Sequence, residues 1–391
     1  MSIARPLLLA LTTTVLSTAL LLPSASAATS ATPLRDYLTA KKSAIQTQST
    51  QEGVPTPIHT KVTAESRSGV RRLRIGPTGA FQYLSDSGRD YAGYNLGAGS
   101  WDSLVGVLSS AIADEYLVQA ALANIPIDGL DVVFTSIPKR KSENLSYPNN
   151  LSYVAYIDSP ATDSQLQTLK HTVHERSSAI NLVTQPQQIS RIEVEYIHTP
   201  ATRDPSLPPG LRDFITQEKR PAVLAKQREA ASGKAATPET LVARAHVEPH
   251  TGLRQVFIGK DGYHLQLHDS APGLLGYGLA PTVEEHLIGV TTTCPTHIFE
   301  VQAGARNVLL DSLEVTADAE LTPRFGKNVS SPAHFRNIHY KARIESPASE
   351  QEILALRDAV EETCPLYNLI KDEQTLEGSV VHGAYTGSTG S

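Results

Sequence analysis

The chain has 391 residues, 34 of them basic and 40 acidic, a net charge of −6, and is 40% hydrophobic but only 6% aromatic. That length implies two or three domains. The mild acidity, with no Arg/Lys block, excludes a binder that tracks nucleic-acid phosphates, and two cysteines exclude a disulfide-dense scaffold or a four-cysteine metal site.

Residues 1–27 read as a signal peptide: Arg5, an apolar run from Pro6 to Leu22, then Ala25 and Ala27 at the small-residue positions of a cleavage site. The remaining chain is expected to have no membrane span and to be secreted or periplasmic, in an oxidising space where two cysteines can bond. Residues 28–58, rich in Thr, Ser, Ala and Pro, read as a loosely packed arm with a helix near Leu34–Ile45.

Residues 59–199 and 241–384 read as two copies of one unit. Gly69-Val70-Arg71 returns 183 positions later as Gly252-Leu253-Arg254, and in the same register Gly93-Tyr94 meets Gly276-Tyr277 and Leu104-Val105-Gly106-Val107 meets Leu287-Ile288-Gly289-Val290. Further on the offset is 187, pairing Ser159-Pro160-Ala161 with Ser346-Pro347-Ala348. Such a register points to a tandem duplication. Copy one predicts strands over 67–85, a helix from Ser100 to about Leu122, strands at 130–135 and 152–158, and a helix over 163–182. Copy two predicts strands over 246–268 and a helix capped by Thr282, with Glu285 three residues on as a capping box, running to about Ala303. Strands at 313–321 and 338–345 and a helix over 350–369 follow. The segment 200–240 between the copies reads as a linker with one surface helix, and 385–391 as a disordered tail.

Both cysteines fall in copy two, where Cys294 lies mid-helix and Cys364 ends the later helix; their copy-one counterparts are Ala111 and Ser177. The pair is open to two readings, a buried structural pair or thiol chemistry. Glu284 lies ten residues before Cys294, too far for direct contact along one helix. A bridging arginine would lower the thiol pKa and stabilise a departing oxygen, and Arg254 is the candidate. Pro295 should bend the helix beside Cys294. His297, three residues past Cys294, is a candidate proton shuttle, and the histidines show no zinc-like spacing, so no metal is expected.

With Glu284-Glu285-His286-Leu287 ahead of Cys294, and Cys364-Pro365 following after 70 residues, copy two resembles the OsmC/Ohr family of thiol-dependent peroxidases (organic hydroperoxide resistance and osmotically inducible proteins). The resemblance implies an α+β fold of two fused OsmC-like units, each with antiparallel strands packed on a long central helix and a second helix, forming an intrachain pseudo-dimer with a degenerate first copy. It implies that Cys294 attacks an organic hydroperoxide, that Arg254 stabilises the thiolate and the leaving oxygen, that Glu284 orients Arg254, and that Cys364 resolves the sulfenic acid to a disulfide. The implied partners are a small organic hydroperoxide or another hydrophobic small molecule and an external dithiol reductant, with no cofactor, in a monomeric pseudo-dimer or a homodimer of it. Trp101, at the copy-one position of Glu284, and Tyr116 are candidate apolar walls. The alternatives are another thiol-dependent reaction (transferase, cyclase or lyase) with Cys294 as nucleophile, or a non-enzymatic binder of a hydrophobic ligand whose cysteines are structural.

Overall fold

The computed structural model describes residues 32–65, 69–142, 145–232 and 239–387, so the expected signal segment and most of the expected tail lie outside the described residues. In chain order α1 (Pro33–Ser49) precedes β1 (Thr56–Ala64), β2 (Arg71–Ile75) and β3 (Phe81–Ser85), then α2 (Ser100–Ala123). Next come β4 (Gly129–Ser136), the short β5 (Lys139–Arg140) and β6 (Ser146–Tyr147), β7 (Leu151–Asp158), α3 (Asp163–Arg176), α4 (Ser178–Thr184) and β8 (Glu193–His198). The second half repeats the plan. It runs α5 (Leu211–Phe214), a π-helical turn Ile215–Lys219, α6 (Arg220–Ala231), β9 (Leu241–Val247), β10 (Arg254–Ile258), β11 (His264–His268), α7 (Val283–Arg306), β12 (Ser312–Leu321), β13 (Phe335–Ser346), α8 (Glu350–Thr363), α9 (Pro365–Leu369) and β14 (Leu376–His382).

Among the described residues twelve strands form two six-stranded sheets, both mixed between halves, β3-β2-β1-β12-β13-β8 and β11-β10-β9-β4-β7-β14, while β5 and β6 pair only with each other. β1 pairs antiparallel with β12, setting Val62 opposite Val315, and β9 pairs antiparallel with β4, setting Ala245 opposite Val132. β8 and β14 close the far edges in parallel with β13 and β7. Strand burial alternates, as a sheet with one face on a core requires. The covering layer is α2 and α7, which pack on each other and each on one sheet. Gly106 of α2 admits Ile258 of β10, where an added Cβ would stand 2.8 Å from Cδ1; Gly289 of α7 admits Leu73 of β2 in the same way, also at 2.8 Å. Each central helix therefore lies on the hairpin of the other half.

The two-unit α+β fold is as expected, and the repeat extends to individual hydrogen bonds. Asp86 accepts from the amides of Ser87, Tyr94 and Leu96, and Asp269 accepts from those of Ser270, Tyr277 and Leu279. Thr282 makes the expected capping box with Glu285. Pro295 sits inside α7 without ending it. α2 is long and apolar enough to cross a membrane, contrary to the expectation that no later segment is, but its apolar stretch is wholly buried in the fold.

Two boundaries move. The segment read as a loosely packed arm carries α1, which buries Leu34, Tyr37, Leu38, Lys41 and Ile45. The segment read as a linker carries α5 and α6, whose start buries Leu211, Arg212, Phe214, Ile215 and Lys219. These helices are equivalents: Leu34-Arg35-Asp36-Tyr37 recurs as Leu211-Arg212-Asp213-Phe214. Arg35 grips both carboxylate oxygens of Asp128, and Arg212 those of Asp311, at 2.6–2.7 Å. The aromatic of each helix docks on the glycine two residues before an arginine: Tyr37 on Gly252 and Phe214 on Gly69, both glycines having positive φ. Each unit thus begins with this helix, so the sequence reading set the unit boundaries too late.

Candidate active site

Cys294 lies in the middle of α7, and Cys364 is the N-cap of α9 at the break after α8. The break is built into both halves, since Ser177 caps α4 at the equivalent place by accepting from the Ile180 amide at 3.3 Å. Both cysteines are free and buried, with Sγ atoms 3.4 Å apart. In that geometry the Cys364 S–H donates to Cys294 Sγ. Burial, and then the neighbouring Cys294 sulfur, push the Cys364 thiol well above its ordinary range, while the Tyr367 and Leu366 amides at the start of α9 oppose the shift. Cys364 is therefore protonated near neutral pH. Tyr340 and Tyr367, in an edge-to-face pair with centroids 5.9 Å apart, wall the thiols, and the Tyr340 hydroxyl donates to Thr291 Oγ1 at 2.9 Å.

One turn beyond Cys294, α7 turns polar. Arg71, at the start of β2 and 1% exposed, donates to His297 Nδ1 at 3.2 Å, Glu300 Oε2 at 3.4 Å and the Gly69 carbonyl at 3.1 Å. Ser87 Oγ also lies 3.2 Å from His297 Nδ1. Lys219, on the π-helical turn, sits 3.7 Å from Glu300 Oε2 and donates to the Tyr91 carbonyl at 2.6 Å. Burial first, then the Arg71 cation, hold the imidazole of His297 down at about 3, so it is neutral near pH 7. Burial alone would raise Glu300, but hydrogen bonding to His297 and the charges of Lys219 and Arg71 bring its carboxyl below the ordinary value.

The equivalent region around Ala111 is built from different chemistry. Arg254, fully buried, lies 3.2 Å from Asp114 Oδ1 and donates to Ser270 Oγ and to the Gly252 and Asp269 carbonyls. Lys41 of α1 donates to Ser270 Oγ at 2.9 Å and stands 3.8 Å from Asp114. Arg324, from the segment between β12 and β13, bridges Asp114 at 2.8 Å and Glu115 at 2.5 Å. Glu284 faces this cluster, accepting from Ser178 Oγ at 3.4 Å; burial raises its carboxyl pKa, moderated by the Arg324 charge. Nearby, His268 Nε2 and His286 Nδ1 share a hydrogen bond of 2.7 Å, and desolvation keeps both imidazoles neutral.

The four residues expected to act together are therefore divided. Cys294 and Cys364 meet, whereas Arg254 and Glu284 lie at the half that holds Ala111 and Ser177. The cause is the exchange of hairpins: β10 crosses α2, so its arginine meets Asp114, while β2 crosses α7 and brings Arg71 to the cysteine-bearing helix. Trp101 is placed on the cysteine side, on the first turn of α2, whose Ser100 Oγ is 2.9 Å from Thr293 Oγ1. Tyr116 is not a wall of the Cys294 site; it packs edge-to-face with Tyr153, centroids 6.5 Å apart, as the counterpart of Phe299 in the other half. The residues that sequence reasoning missed are Arg71 as the partner of α7 and Lys219. The repeated Leu-Arg-Asp-aromatic motif was the available signal for Lys219.

Residues 276–378 match the family model described as OsmC-like protein. No curated protein and no solved structure matches the chain.

Proposed function

We propose, from the premise that this chain carries an OsmC-like domain at residues 276–378, that it is a thiol-dependent peroxidase acting on organic hydroperoxides through Cys294 and Cys364. The domain supports a peroxidase-like or related role. The observation that carries the finer reading is the 3.4 Å separation of two free, buried thiols, one of which donates to the other. The Cys294 thiolate attacks the distal peroxide oxygen; the O–O bond breaks, the alkoxide takes a proton, and the products are an alcohol and Cys294 sulfenic acid. The Cys364 sulfur then attacks the sulfenic sulfur, releasing water and leaving a disulfide. An external dithiol returns both cysteines to thiols by exchange and is itself oxidised. Arg71, not Arg254, is the arginine in place to favour anionic charge on this side of α7. Export to a secreted or periplasmic space is part of the same proposal, and rests on the composition of residues 1–27.

The test is consumption of cumene hydroperoxide by the purified protein with dihydrolipoamide, beside C294S and C364S. Turnover that vanishes in C294S, and a C364S protein that reacts once and holds a dimedone-reactive sulfenic acid, are the expected results. A reduced, folded protein that consumes no hydroperoxide would overturn the reading and leave the pair to another thiol reaction or to a structural role.

A further inference from the structure

One place that is closed in the cysteine half is open in the other. In the cysteine half Gln302 of α7 donates through Nε2 to Thr363 Oγ1 at the end of α8, 3.0 Å away, and so joins the two helices. At the repeat offsets the counterparts of these residues are Gln119 of α2 and Arg176 of α3. That pair is not bonded. Gln119 turns its Nε2 to Glu115 Oε1 at 2.6 Å, and Arg176 donates to the Ser330 carbonyl at 3.4 Å. Both line a cavity of about 360 Å³, within the size range of small-molecule sites.

The walls of this cavity are of two kinds. Leu122 of α2, with Phe325 and Val329 of the segment between β12 and β13, supplies apolar surface. The floor is charged but closed. Arg324 spends its guanidinium on Asp114 at 2.8 Å and Glu115 at 2.5 Å, and the other Glu115 oxygen takes the Gln119 amide. Below the floor Arg254 and Lys41 face Asp114, Glu284 accepts from Ser178, and Asp269 staples its loop. Outside it, Lys327 pairs with Glu52, and His171 with Glu175. Arg176 differs from all of these cations: among the described residues it has no carboxylate partner.

We infer that this cavity binds a small monocarboxylate with an apolar body, its carboxylate paired with Arg176 and its body laid on Leu122, Phe325 and Val329. A guanidinium that lacks an acid, beside an apolar wall, matches an amphiphile of opposite charge and can hold a carboxylate by two parallel hydrogen bonds. Recognition is local, an ion pair at one residue, because the charges of the floor are taken up by one another. The site goes beyond hydroperoxide reduction and uses neither cysteine.

The test is isothermal titration of the purified protein with octanoate and with octanol, its neutral counterpart. Octanoate is expected to bind the parent about tenfold more tightly than octanol does, and R176M to lose about that factor for octanoate alone. L122W, which sets an indole against the cavity, is expected to abolish binding of both ligands, and C294S to leave both at the parent level. Arg176 is exposed and Leu122 is 39% exposed, so these variants are expected to keep the parent circular dichroism. No heat at millimolar octanoate, equal affinities of the parent for octanoate and octanol, or an R176M affinity for octanoate equal to that of the parent would overturn the inference. Binding that survives L122W, or that is lost in C294S, would place the ligand elsewhere and overturn it as well. The readout is binding, so this site and the peroxidase reading fail separately.

Discussion

Replacing Arg324 with methionine keeps much of the volume and removes the cation that bridges Asp114 and Glu115. The two carboxylates are then unequally placed. Asp114 retains Arg254 at 3.2 Å and Lys41 at 3.8 Å, whereas Glu115 retains the Gln119 amide at 2.6 Å among the described partners. Glu115 is 3% exposed, so R324M leaves a buried carboxylate without a cation. Breaking a buried pair in this way costs about 3–5 kcal/mol, and for a chain of this length that lowers Tm by about 4–7 °C. In the parent, burial would raise the Asp114 pKa, but Arg254, Lys41 and Arg324 hold it well below the ordinary value; its stabilisation is present above the unfolded carboxylate pKa and lost as pH falls through the folded one. Removing Arg324 takes away one of the three cations that hold Asp114 down, so the difference between R324M and parent is fully present above the unfolded carboxylate pKa of about 4 and narrows as pH falls below it. Urea unfolding across that range measures it, with E115Q in the R324M background expected to recover part of the loss. A difference below about 1 kcal/mol, or one that does not change with pH, would refute the assignment of Arg324 as the counter-ion of this cluster.

Substituting Gly69 with alanine places a methyl 2.3 Å from Phe214 Cε1 at a φ of +62°, and G252A places one 2.2 Å from Tyr37 Cζ at +69°; each is expected to lose about 2–3 kcal/mol in chemical denaturation, and wild-type stability would show that the helices do not dock there. R71M is expected to slow single-turnover oxidation of Cys294 by cumene hydroperoxide about tenfold or more, with R254M remaining within about threefold of the parent. The reverse order of the two variants, read by stopped-flow, would restore the in-copy arginine.

The sequence carried the elements well and the pairings poorly. α2 and α7 are legible because their ends are marked locally: the Thr282 and Glu285 box starts α7, and Asn124 and Asn307 end the two helices in the left-handed conformation. The Cys364 break is half legible: Cys364-Pro365 marks a helix end there, yet residues 350–369 keep an apolar stripe across it that reads as one helix. β8 and β14 were not anticipated; both lie at sheet edges and pair in parallel with strands far away in sequence, and their own residues do not encode that choice. The same limit explains the arginines. An offset of 183 establishes that Arg71 and Arg254 are equivalent, yet carries no information on which helix each strand crosses. The α1 equivalence was hidden because Leu34 and Leu211 are 177 apart, outside the main register, and because the π-helical turn sets Lys219 five positions after Phe214 where α1 sets Lys41 four after Tyr37.

The exchange of hairpins also sets the order in which the chain can fold. β1 at Thr56–Ala64 pairs at once with β2, but its other edge finds a neighbour only when Ser312–Leu321 exists, and β13 must follow before β8 gains a partner. A growing chain therefore carries its first hairpin with an open backbone edge through most of its synthesis. Such an edge is a template for pairing with another molecule, and closing so long a loop makes assembly of the sheets slow. The first unit, released alone by truncation after residue 199, would lack β12 and β13 entirely. Its natural recourse is to seek them, or their like, in a second chain.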